Sequence, residues 1–171
     1  MALNPQIIGK DFPHGFAGCF ARQPDMIVQT RPAGGEANIP FGAPLVYGSD
    51  GKSVEAAGAG FAAANFVGVA GFEIKSALNY LDQTGGNYAP GEAVSVFQRG
   101  SINVKAYGTP ALGGTVYVRV NTSETYTDEP VGAFTATQED SDTVALTNCQ
   151  WGGPADENGI AELVILTRNK A

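Results

Sequence analysis

Short apolar runs of period two, each bounded by glycine or proline, restrict this chain more than any other feature. Val94 and Val96 alternate with Ser95 and Phe97; Ile102 and Val104 alternate with Asn103 and Lys105; Val116, Val118 and Val120 alternate with Tyr117, Arg119 and Asn121. Such alternation sets one face of a strand against a core and turns the other to solvent. Between the runs, Gly takes 23 of the 171 positions, close to twice the ordinary usage of about 7%, and Pro takes ten more. Long helices do not survive that punctuation, because proline removes a backbone donor and fixes φ. The pattern predicts an all-β fold, a compact β-barrel or β-sandwich of about nine strands with an extended N-terminal arm and little helix.

Along the chain, further strands are expected near Met26–Thr30, Ala43–Tyr47, Phe66–Glu73, Val131–Thr137, Val144–Trp151 and Ile160–Thr167. The two alternating runs on either side of Arg99-Gly100-Ser101 read as a β-hairpin with a short turn. Pro154 to Gly159 reads as the turn that pairs the last two strands, with Asn158-Gly159 supplying positive φ. The unbroken run Leu163-Val164-Ile165-Leu166 fits a strand covered on both faces. Only Ser76–Gln83 invites a helical reading, and the dense Gly and Ala of Ala56–Ala64 fit a long surface loop or a packed contact segment. Residues 1–25 read as an arm: Pro5, Pro13 and Pro24 interrupt regular structure, while Phe12, Phe16 and Phe20 supply apolar anchors. Residues 26–171 then form a single β domain, long enough to bury a substantial core.

Composition excludes several functions. Ten Lys and Arg against 17 Asp and Glu leave a net charge of −7, which opposes nucleic-acid binding through phosphate neutralisation and attraction to anionic lipid. The apolar stretch from Ala56 to Phe72 is shorter than the ~20 residues a membrane span needs. The opening Met1-Ala2-Leu3-Asn4-Pro5 has neither a basic start nor an apolar run, so no secretory leader is expected. Cys19 and Cys149 lack metal-ligand spacing and read as small buried hydrophobes rather than a disulfide.

No chemical motif assembles. Gly48-Ser49-Asp50-Gly51-Lys52-Ser53 ends like a phosphate loop, but the first glycine of such a loop would fall at Val46; a turn at Asp50-Gly51 is expected instead. Gly58-Ala59-Gly60 lacks the third glycine of a dinucleotide fingerprint, since Ala63 stands there. His14, the only histidine, lies in the expected arm, where catalytic geometry is hard to hold. Glu139, Asp140 and Asp142 lack the ligand order of a calcium loop. Catalytic, cofactor and metal residues are therefore none, and no enzyme activity is expected.

The order of the short blocks carries more. Gly15-Phe16-Ala17-Gly18, Ile39-Pro40-Phe41-Gly42, Phe66-Val67-Gly68-Val69-Ala70 and Tyr88-Ala89-Pro90-Gly91 lead into Val94 and Val96. Gly100-Ser101-Ile102-Asn103-Val104 and Gly114-Thr115-Val116-Tyr117-Val118 then complete the series. Over roughly the first 120 residues this order resembles the structural cement (capsid decoration) proteins of tailed bacteriophages.

The resemblance implies a virion structural protein, made in the host bacterial cytoplasm, that binds the outer surface of an assembled capsid. It also implies the major capsid protein as partner, bridging and stabilisation of capsomers, and self-association as a homotrimer. The contact residues expected on that basis are Phe12, Phe16, Phe20, Phe97, Tyr107 and Tyr117, the last three on faces opposite the core valines. The alternative is a carbohydrate-binding β module, an adhesin or receptor-binding domain, that would present Trp151, Tyr107, Tyr117 and Tyr126 to a glycan.

Overall fold

The computed structural model describes residues 13–73 and 86–168. The helical reading of Ser76–Gln83 lies outside the described residues. Eleven strands are present among the described residues: β1 (Phe20–Pro32), β2 (Ile39–Pro40), β3 (Pro44–Tyr47), β4 (Val54–Ala56), β5 (Phe66–Ala70), β6 (Asn87–Tyr88), β7 (Ala93–Tyr107), β8 (Thr115–Arg119), β9 (Phe134–Thr135), β10 (Thr143–Trp151) and β11 (Ile160–Ile165). The all-β expectation holds, and the sheet closes into a barrel.

Closure follows from the pairings. β7 pairs with β11, β11 with β10, β10 with β8 and β8 with β9, and β9 returns to β7 in the parallel sense. Inside this ring lie Ile102, Val104, Val116, Val118, Phe134, Leu146, Trp151, Leu163 and Ile165. The alternating valines of β8 reach it as the period-two pattern requires. β10 and β11 pair through Cys149↔Ile165 and Trp151↔Leu163, as the Pro154–Gly159 turn predicts. In that turn Gly159 has φ +69°, and the Asp156 carboxylate accepts the amides of Asn158 and Ile160, each at 2.9 Å.

A second, looser ring grows from the other half of β7. β5 pairs with β7, β3 with β5 and β4 with β3. An isolated bridge from Val54 to Ala33 then leads back to β1, which pairs along β7. Its own core holds Ala33, Ile39, Leu45, Val54, Val67, Ala70, Tyr88, Val94 and Val96. β2 and β6 form a small separate pair that contributes Ile39 and Tyr88 to this core. Truncating one such packed aliphatic side chain to alanine typically costs about 2–5 kcal/mol.

β7 therefore serves both rings, and it corrects the expected hairpin. Ala93 to Tyr107 is one continuous strand, without a reversal at Arg99-Gly100-Ser101. Gly100 instead takes φ +104° within the strand, a conformation open to glycine because it has no Cβ. The strand changes face there: Val94 and Val96 point into the second core, whereas Ile102, Val104 and Ala106 join Phe97 in the first.

Other expectations shift at their edges. Strand pairing starts at Phe20, so residues 20–25 of the expected arm join the sheet. Of the expected strand Val131–Thr137 only Phe134–Thr135 pairs, and β5 stops at Ala70. The Ala56–Ala64 segment is packed, burying Ala57 and Phe61, and it runs into a single 3-10 turn at Ala63–Asn65.

Candidate functional site

Main-chain bonds fix the segment that precedes β1 on the barrel. Gly18 N donates to Asn103 O at 2.7 Å, Asn103 N donates to Cys19 O at 2.9 Å, and Phe72 N donates to Gly18 O at 2.8 Å. Asn103 Nδ2 donates to His14 O, and His14 N donates to Asp156 Oδ2 at 2.8 Å. Arg22 adds an ion pair, its Nε lying 2.8 and 3.0 Å from the two oxygens of the buried Glu162. The hydrogen bond and then the charge of Glu162 raise the Arg22 pKa. Residues 13–22 thus lie along β7 and β11 as a strap. Between this strap and residues 152–157 runs an open groove of about 550 Å³.

The strap carries two of the expected contact residues. Phe16 is 49% exposed and stacks on Phe72, with ring centroids 6.1 Å apart. Phe20 is 47% exposed and meets Phe97 edge-on at 4.7 Å. Phe12 lies outside the described residues. Phe97, expected on an outward face, is only 3% exposed and belongs to the first core. The face of β7 opposite Val94 and Val96 is itself a core face, because two rings share this strand. Phe20 covers Phe97 and leaves it no surface to offer.

Tyr107 and Tyr117 are half-buried. Tyr107 lines a second groove of about 350 Å³, together with Pro40–Pro44 and Pro130–Phe134. Burial, and after it the charges of Asp128 and Glu129, raises the Tyr107 pKa. The Tyr117 hydroxyl lies 3.3 Å from Gln138 Oε1. Of the residues expected for glycan stacking, Trp151 is 0% exposed and sits in the core, and Tyr126 lies at the surface with its ring 5.7 Å from the Arg119 guanidinium carbon.

The motifs weighed for chemistry resolve as turns and structural charges. Asp50 Oδ1 accepts the amides of Lys52 and Ser53 and the Ser53 hydroxyl, each at 2.8 Å. The backbone bond from Lys52, then the two from Ser53, hold the Asp50 carboxyl below its usual range. The amides that a bound phosphate would need are thus occupied by the chain's own carboxylate. Glu139 is tied to Arg119 and Ser123. Among the described residues no group of three His, Cys, Asp or Glu side chains is placed to hold a metal ion, and no helix is long and apolar enough to cross a membrane. Both cysteines are free thiols.

Sequence reasoning missed the most unusual residue. Arg119 was expected on the outward face of β8, yet it is 0% exposed. Its Nε and one terminal nitrogen lie 2.9 and 2.6 Å from Glu129 Oε2, and the other terminal nitrogen is 2.8 Å from Glu139 Oε2. Burial alone would lower its pKa, but the bonds to Glu139 and Glu129 outweigh it and raise it. The one sequence signal was the acidic content of residues 129–142, which has no local basic partner.

A family model described as "Structural cement protein (E217 gp24/Pam3 gp6)" matches residues 4–166. No curated protein matches the chain. Among solved structures, a chain of "The capsid of Myoviridae Phage XM1" aligns over 99% of this chain and 100% of its own length, with a TM-score of 0.71 at 14% identity. A chain of "The crystal structure of head fiber gp8.5 N base in bacteriophage phi29" aligns over 85% of this chain and 99% of its own, with a TM-score of only 0.38 at 16% identity. The barrel fold is thus one found in a phage capsid, and the match over residues 4–166 places the chain in the phage structural cement protein family.

Proposed function

We propose that this protein decorates the outer surface of an assembled phage capsid, where it bridges neighbouring capsomers of the major capsid protein as a homotrimer and has no catalytic role. The observation that carries the reading is the family match across nearly the whole chain. The exposed aromatics of the strap support it: Phe16 and Phe20 stand half in solvent on a backbone pinned to β7. Rigid aromatic anchors of this kind tend to dominate interface energies. Each copy would bind weakly alone, and a trimer engaging several capsomers at once would bind far more tightly through effective concentration. The net charge of −7 suits a protein that must not adhere to nucleic acid during assembly.

The test is co-sedimentation of purified protein with shells from which it has been stripped. The intact protein should pellet with the shells, and the Phe16→Ala/Phe20→Ala variant should bind at least about tenfold more weakly, the loss expected from removing interface anchors. Failure of the intact protein to bind any shell surface would overturn the capsid reading. Multi-angle light scattering that finds only monomer, both free and released from shells, would overturn the trimer.

A further inference from the structure

We infer that the buried Arg119–Glu129–Glu139 network is a charge lock that selects one conformation of the β8–β9 connection, residues 120–133, and adds little to the stability of the barrel. That connection contains no strand. Its two ends are held by main-chain bonds, Gly132 N to Arg119 O at 2.8 Å and Arg119 N to Ala133 O at 3.0 Å. Its middle is held from the side chains inward. Glu129 reaches into the protein to the guanidinium, and Ser123 Oγ donates to Glu139 Oε1 at 2.9 Å. The same Ser123 oxygen accepts the amides of Thr125 and Tyr126, both at 3.0 Å. The Tyr126 ring lies against the guanidinium, and Glu129 N closes a turn onto Tyr126 O at 3.1 Å.

Energetically this is a poor way to stabilise a fold. Bringing a guanidinium and two carboxylates out of water costs about as much as their attraction returns, so well-packed apolar replacements of buried ion pairs are often neutral or stabilising. The geometry it supplies is more specific than an apolar contact. A planar guanidinium with carboxylates on two of its edges accepts one placement of Glu129. Glu129 directly precedes Pro130–Ala133, which line the same groove as Tyr107. The lock thereby sets the shape of that groove.

The experiment compares the free wild-type protein with Arg119→Met/Glu129→Leu and with Glu129→Ala. In the double variant the melting temperature should stay within about 3 °C of wild type, as for other buried ion pairs replaced by apolar groups. Amide exchange at Thr125, Tyr126 and Glu129 should meanwhile rise at least about tenfold, the signature of a local opening, with the β10 and β11 amides unchanged. The single variant leaves Arg119 buried with half its partners and should melt about 10 °C lower. A double variant that fails to fold, or melts as low as the single variant, would make the network a stability element and overturn the inference. Unchanged exchange at the three loop amides would overturn it as well.

Discussion

Gly100→Ala tests the role of β7 as the strand shared by two rings. The wild-type backbone at this position has φ +104°, and an alanine Cβ would lie 2.3 Å from Asp25 O, 3.0 Å from Met26 Cα and 3.1 Å from Asp25 C. Each of these is a main-chain atom of β1, so no side chain can swing aside. Forcing an L-residue into this region costs about 1–2 kcal/mol. Moving the β1 backbone away by enough to reach ordinary contact adds an overpacking penalty of about 1–3 kcal/mol. The sum, about 3 kcal/mol, is a large fraction of the 5–15 kcal/mol typical of a domain, and should lower the melting temperature by about 6–12 °C. Gly51→Ala is the control: its φ is +65°, but the space around it is open, so only the conformational cost of about 1 kcal/mol applies. Urea unfolding of both variants, with amide exchange along residues 20–30, measures the difference. Equal losses at the two positions would show that β1 gives way freely, and would refute the claim that close β1–β7 packing depends on a glycine here.

Two further outcomes follow from titratable groups. The Asp156 carboxyl, despite a burial effect in the opposite direction, is held below its ordinary value of 3.8 by the amides of Ile160, His14 and Asn158. A depressed folded pKa adds stability that is complete above the unfolded value and is lost as pH falls through the folded one. Asp156→Ala should therefore be less stable than wild type at neutral pH, and the gap should narrow below about pH 4; a gap independent of pH would show that the carboxylate charge is irrelevant to the turn. Burial pushes the Cys149 thiol up to about 12, so in folded protein at pH 8 it should resist alkylation and react only after unfolding, as read by peptide mass mapping.

The all-β class, the pairing of β10 with β11 and the inward valines of β8 were legible in the sequence, because period-two alternation and turn chemistry act over a few residues. Asp50-Gly51 likewise declared its turn through a carboxylate two and three residues from the amides it accepts. Gly100 was misread for a local reason: a glycine flanked by two alternating runs looks the same whether the chain reverses there or a single strand changes face. Only the pairing of β7 with β5 on one half, with β11 and β9 on the other, and with β1 on both sides of Gly100 decided between them. That shared strand also buried Phe97, since both of its faces meet a core. Arg119 stood in alternation with core valines and so read as solvent-facing, and its burial became affordable through Glu129 and Glu139, which the fold brings to it from ten and twenty residues away. Local sterics and side-chain period are written along the chain, but which faces are covered, and which charges meet, depends on segments far apart in sequence that only the closed sheet brings together.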